Sequence, residues 1–176
     1  MQPLVDAWRA ANPNIVAFWS ALDRAARTVI RKKTSVRVGK VTLYWQDDKM
    51  FMRLPSGRNL CYQSPHFTEN GFGSDAIGYY APNAAGQMVV QETFGGKLAE
   101  NATQAIARDI LAHALLTLEK NGYPVVFHVH DEAVIEKPTG QGSLEEACRL
   151  MAIAPDWAKD LPLRADGYEC AYYRKD

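Results

Sequence analysis

Apolar side chains change their period near residue 34. Before it they recur every three or four positions. Residues 3–11 read as a short helix ending near Asn12-Pro13. Residues 14–33 read as a longer helix, with Ile15, Phe18, Trp19, Leu22, Ala26 and Ile30 on one side. From Ser35 to about Ser64 the runs are short and β-prone: "VTLYW", "KMFMRL" and "NLCYQ", separated by the turn signals "QDD" and "PSG". Residues 66–86, rich in Gly, Asn, Ser and Pro, read as a loop, and "QMVVQETF" reads as a strand. A "GG" pair then introduces the longest helix, Lys97 to Asn121. Ile106, Ile110, Ala114 and Leu118 are its expected core stripe, and Gly122 its C-terminal cap.

The stretch "GYPVVFHVHDEAVIEKP", residues 122–138, reads as a hairpin. Pro124 to Val129 form its expected buried strand and Ala133 to Ile135 its second apolar run, with His130, Asp131 and Glu132 at the tip. "GSLEEACRLMAIA" reads as a helix with Ser143 as N-cap and Glu146 three positions later, a capping box. "LPLRADGYECAYYRKD" reads as a final strand. Mixed helices and hairpins, without a regular β-α-β alternation, predict an α+β fold: an antiparallel sheet with helices packed on one face. The length, 176 residues, fits a single domain spanning 1–176.

Composition narrows the class. Hydrophobic residues make up 47% of the chain, ordinary for a globular protein. No apolar run reaches the roughly 18 residues of a membrane span, and "MQPLVDAWRAANPN" lacks the zones of a signal peptide. Cys61, Cys148 and Cys170 are few and unpatterned, which favours a reducing cytoplasm without a disulfide framework. The net charge is zero but uneven. Residues 1–60 carry 11 Lys and Arg against 4 Asp and Glu, and residues 61–176 carry 9 against 16. A basic half beside an acidic half fits a polyanion surface next to a cation site, or simply solvated helix faces. Arg24, Arg27, Arg31, Lys32 and Lys33 crowd a helix C-terminus, where cations suit the dipole without further function.

The hairpin tip concentrates the chemistry. Carboxylates are oxygen ligands suited to Mg²⁺ or Mn²⁺. In a strand Asp131 and Glu132 would diverge, but at a tight turn both can reach one site. A two-metal phosphoryl-transfer site needs such rigid carboxylates, and needs more of them from elsewhere. A competing set is His128, His130 and Asp131, the start of a zinc site in a small metal-dependent hydrolase. His66 and His113 are not clustered to complete it and carry no assigned role. An ordinary turn with solvated carboxylates is the third reading. On the long helix Lys97, Asn101, Gln104 and Arg108 recur at four, three and four, one polar stripe suited to minor-groove acceptors. Arg53 and Arg58, like the basic end of the second helix, are candidate phosphate contacts. Trp19, Trp45, Tyr79 and Tyr80 read as core or rim aromatics.

"VVFHVHDEAVIE" resembles motif C of the family A DNA polymerases, the bacterial polymerase I type and its phage relatives. "GGKLAENATQAIARDILAHAL" resembles that family's palm helix, "VDAWRAANPNIVAFWSAL" the segment after the nucleotide-binding fingers helix, and "RLPSGRNLCY" its short palm strands. "AIAPDWAKDLPLRADGYECAYYRKD" resembles the C-terminal end of phage-type members, so the likeness covers essentially the whole chain. It implies a helical segment over 1–34 and a palm over 35–176. It also implies Asp131 as a metal ligand, Glu132 as a second carboxylate, and His130 beside the primer 3′ end. Lys97, Asn101, Gln104, Arg108 and Arg58 would lie on the primer–template.

Two family motifs are missing. No Asp-Tyr-Ser segment of motif A, with the other palm Asp, occurs. Nor does the Arg, Lys and aromatic-Gly of motif B that hold the incoming nucleotide. The expectation is therefore a C-terminal palm fragment in the bacterial or phage-infected cytoplasm, inactive alone. It would work with an N-terminal part that carries motifs A and B and binds the dNTP. Uncovered apolar surface would favour a homodimer or other oligomer. A non-catalytic DNA-binding or accessory palm module is the rival of a different class.

Overall fold

The computed structural model describes residues 2–69, 73 and 75–174. They form two compact units, Met1–Ala105 and Ile106–Asp176.

The first unit opens with α1 (Gln2–Ala11) and α2 (Pro13–Lys32). Pro13 sits at the first helical position, where its missing N–H is not needed. Six antiparallel strands follow in chain order across one sheet: β1 (Ser35–Val38), β2 (Val41–Gln46), β3 (Lys49–Arg53), β4 (Asn59–Glu69), β5 (Asp75–Pro82) and β6 (Met88–Thr93). The turns fix the register. Asp47 and Asp48, both at positive φ (48° and 57°), make a two-residue hairpin turn whose twist matches the strands, so Gln46 pairs with Lys49. This pairing sorts the side chains by face. Val36, Leu43, Met52 and Leu60 form one cross-strand row and Trp45, Met50 and Tyr62 the next. Leu43, Met50 and Met52 are fully buried. α2 packs on β1, β2 and β3 and contributes buried Leu22, Ala25, Ala26, Val29 and Ile30. On the opposite face lie the rows Arg37–Thr42–Arg53–Asn59, Ser35–Tyr44–Phe51–Cys61 and Gln46–Lys49–Gln63.

The α+β expectation holds. The expected loop over 66–86 does not: β4 runs on to Glu69 and β5 fills 75–82. Its residues pair across the strands, Phe67 with Ile77 and His66 with Gly78. Gly78 serves the sheet because the His66 imidazole already occupies the space of a Cβ, 2.9 Å away. Residues 70–72 and 74 of that stretch lie outside the described residues. Of the expected α2 stripe, Leu22, Ala26 and Ile30 are buried, Phe18 and Trp19 are half-buried, and Ile15 is exposed.

α3 (Gly95–Lys120) begins in the first unit and continues into the second. Its start is tied down by Asp23, whose Oδ1 accepts from the Gly95 N–H at 3.2 Å. Its end is a Schellman motif: the Tyr123 N–H donates to the Leu118 carbonyl and the Gly122 N–H to that of Glu119. Gly122 takes the positive φ, 74°, that this ending requires. The buried side of α3 matches the expected stripe only in its second half, at Ala114 and Leu118. Leu98, Ala102, Ala105, Leu111, Ala114 and Leu118 are buried, while Ile106 and Ile110 are half-buried.

In the second unit α3 is followed by β7 (Val125–Val129), β8 (Glu132–Ile135), α4 (Leu144–Met151) and a 3-10 turn at Asp156–Ala158. Leu118, Tyr123, Ala147 and Leu150 form its core, with Val125, Ala133, Ile135 and Met151 packed against it. The expected capping box is half formed. The Ser143 hydroxyl accepts from the Glu146 N–H at 3.1 Å, but the Glu146 carboxylate accepts from the Tyr123 hydroxyl instead. That hydroxyl in turn accepts from the Ser143 N–H, closing the cap through a third residue. Pro124 to Val129 are not a buried strand: Val126 is 56% and Phe127 39% exposed. Val126, Phe127 and His128 are exposed in succession, because the register of β7 on β8 shifts between Val125 and Phe127 and breaks the strand alternation. The expected final strand is absent over residues 161–174; residues 175–176 lie outside the described residues.

Candidate functional site

The hairpin tip is built by a two-residue turn. Val129 pairs with Glu132, so His130 and Asp131 are the turn residues and Glu132 opens β8. His130 adopts φ 51°, a left-handed conformation that histidine tolerates better than most residues. All three side chains are exposed. β7 ends at Val129, so His128 lies in the strand and His130 in the turn. His128 is engaged elsewhere: its Nε2 lies 3.2 Å from Nη2 of Arg108. Arginine can only donate, so that nitrogen accepts and is unprotonated in this contact.

Asp131 and Glu132 offer hard oxygen donors of the kind Mg²⁺ or Mn²⁺ takes. Among the described residues no group of three or more His, Cys, Asp and Glu side chains comes together to hold a metal ion. Two adjacent carboxylates are a partial donor set for such an ion, and the His128–His130–Asp131 zinc set is likewise incomplete.

The four residues of the expected polar stripe on α3 are each partnered. Lys97 Nζ donates to the Glu92 carbonyl at 3.4 Å and Gln104 Nε2 to Glu100 Oε1 at 3.1 Å. Both side chains reach solvent. Half-buried Asn101 donates from Nδ2 to the Tyr62 hydroxyl at 3.2 Å. Tyr62 is 3% exposed and packs edge-on against Tyr79, with ring centroids 5.1 Å apart. Burial pushes its phenol up to about 12; the Asn101 hydrogen bond opposes that shift and the neighbouring Tyr79 adds to it. Arg58, on the turn between β3 and β4, donates from Nη2 to the Ala105 carbonyl at 2.8 Å and so fastens α3 to the sheet of the first unit.

The basic end of α2 is largely engaged as well. Arg27 pairs with Asp23 at 2.7 Å, Arg31 sits 4.9 Å from the Phe67 ring centroid, and Lys33 lies over Trp45. Between α2 and the start of α3 runs an open groove floored by Ile15, Phe18, Trp19 and Phe94, with Arg24 and Lys97 at its rim. The motif reading missed Tyr62 and the paired aromatics Tyr44 and Phe51. The register implied by the "QDD" turn was the signal that places Tyr44 opposite Phe51.

Fold and site together define an α+β chain with an acidic hairpin tip and a polar helix flank. Comparison adds a relative. Over 175 residues, 98% of its length, the chain is 41% identical to a DNA polymerase of Bacillus phage SP02. It spans about a quarter of that protein, 27%. No family model matches the chain, and no solved structure does. No helix among the described residues is long and apolar enough to cross a membrane.

Proposed function

We propose that this chain is the C-terminal palm portion of a phage-type family A DNA polymerase. The observation that carries the polymerase reading is the 41% identity across 98% of the chain to a phage DNA polymerase, of which the chain spans 27%; the family A palm assignment rests on the resemblance of "VVFHVHDEAVIE" to motif C. Asp131 and Glu132, at the tip of the β7–β8 hairpin, are the residues that would hold Mg²⁺ or Mn²⁺. Bound there, the ion would neutralise charge developing on the transferred phosphoryl group. His130, in the turn, stands beside the primer 3′ end. Lys97, Asn101, Gln104, Arg108 and Arg58 follow the primer–template, with contacts that do not depend on base sequence.

One turn supplies half of a two-carboxylate clamp. The other palm Asp and the groups that hold the dNTP belong to motifs A and B, which this chain lacks. The isolated chain therefore does not extend a primer. Primer extension with and without a polypeptide carrying motifs A and B tests this. Activity is expected only in the mixture, and Asp131→Ala is expected to lower it about 100- to 1000-fold, the loss typical of one preorganised charge-stabilising group. Asp131 is an exposed turn residue, so the variant should keep the parent melting temperature. Extension by the chain alone, or undiminished synthesis by the variant, overturns the assignment.

A further inference from the structure

The outward face of the six-stranded sheet carries a composition that the palm reading does not use. The Tyr44 and Phe51 rings stack on one another across β2 and β3, with centroids 5.3 Å apart and planes 21° from parallel. The Arg53 guanidinium lies 5.2 Å from the Tyr44 centroid. Arg37 and Lys49 stand on the same face, one in the row with Arg53 and the other two positions along from Phe51. β1, β2 and β3 contain no Asp or Glu at all. The acidic residues nearest in sequence, Asp47 and Asp48, are confined to the turn. α2 covers the other face of these strands, while Arg37, Arg53 and Cys61 on this one are exposed and the two rings half-buried.

Stacked aromatics interleaved with cations, on the β1–β3 part of the sheet face, which carries no carboxylate, complement a flexible polyanion whose rings can stack. A lone exposed aromatic would suit many partners, and a lone basic patch would suit any duplex. The combination selects unpaired bases, because a duplex hides its ring faces inside the stack. We propose that this face binds single-stranded DNA, with bases stacking on the Phe51–Tyr44 platform and phosphates held by Arg37, Lys49 and Arg53. This surface is separate from the hairpin chemistry proposed above and stands or falls independently of it.

Cys61 pairs across the strands with Phe51 and is exposed, so it reports occupancy of the face without any substitution. Saturating oligo-dT should slow alkylation of Cys61 by N-ethylmaleimide, read by mass spectrometry, at least fivefold, and a blunt duplex of equal length should not. By fluorescence anisotropy, Phe51→Ala should weaken oligo-dT binding about 5- to 150-fold, the loss of one base stack. Tyr44→Phe should bind as the parent. Replacing Arg37, Lys49 and Arg53 together by Gln should flatten the logarithmic salt dependence by about 2. Asp131→Ala should bind oligo-dT normally, which separates this proposal from the metal assignment. Unchanged Cys61 alkylation, equal protection by the duplex, tighter binding of oligo-U, or undiminished affinity of a folded Phe51→Ala chain would each overturn it.

Discussion

Tyr62 holds its phenol in the core of the first unit, with the Asn101 amide as partner. Its pKa in the folded chain, about 12, lies above the ordinary value of 10, chiefly through burial. The folded state therefore keeps this proton where the unfolded state releases it. Stability from Tyr62 is complete below pH 10 and is lost as pH rises through 12, a contribution of about 2–3 kcal/mol over that window. Urea unfolding at pH 8, 10 and 11 should show a falling midpoint in the parent and a flatter profile in Tyr62→Phe. Parallel profiles would mean that another group drives the alkaline loss. Asn101 itself was legible in sequence as a polar helix position. That its amide is tied to a buried tyrosine was not, because Tyr62 stands 39 residues away. Arg58 repeats the lesson: read as a candidate phosphate contact, it donates to the Ala105 carbonyl, 47 residues along.

α2 and α3 meet closely at Gly95. A Cβ on Gly95 would lie 2.1 Å from the Trp19 carbonyl oxygen and 2.9 Å from its carbon. Both are backbone atoms of a helix and cannot swing aside as a side chain would. In an open helix, Gly→Ala gains roughly 0.5–1 kcal/mol. Here the overlap reverses the sign, and Gly95→Ala should destabilise by about 3 kcal/mol or more. Thermal unfolding measures it, and an unchanged or raised midpoint would show that the helices part freely. The "GG" pair announced where α3 starts, and Gly122 where it ends, since both signals are local. The strands within 66–86 stayed hidden because their turn-forming composition masks the pairing of Phe67 with Ile77.

At the scale of the whole molecule, exposed apolar surface has a consequence. β7 and β8 form a two-stranded sheet, so among the described residues each strand has an unpaired edge, and Val126 stands in solvent beside Phe127, which packs edge-on against Tyr173. Such a surface favours self-association. Light scattering should give a mass that rises above the 19.6 kDa of one chain with concentration. Val126→Lys should weaken the association about tenfold or more, the worth of one buried valine. A mass fixed at one chain at high concentration would refute it. The sequence by itself determined the α+β class, the helices, the glycine cap and the placement of His130, Asp131 and Glu132 at a hairpin tip. Each rests on local periodicity or turn chemistry, which neighbouring residues decide. Only the tertiary structure decided which side of the apolar β7 run stays in solvent, which polar side chains of α3 are already partnered, and that Tyr44, Phe51 and Arg53 share one open face. Those outcomes depend on strand register and on partners far along the chain, and no local pattern encodes them.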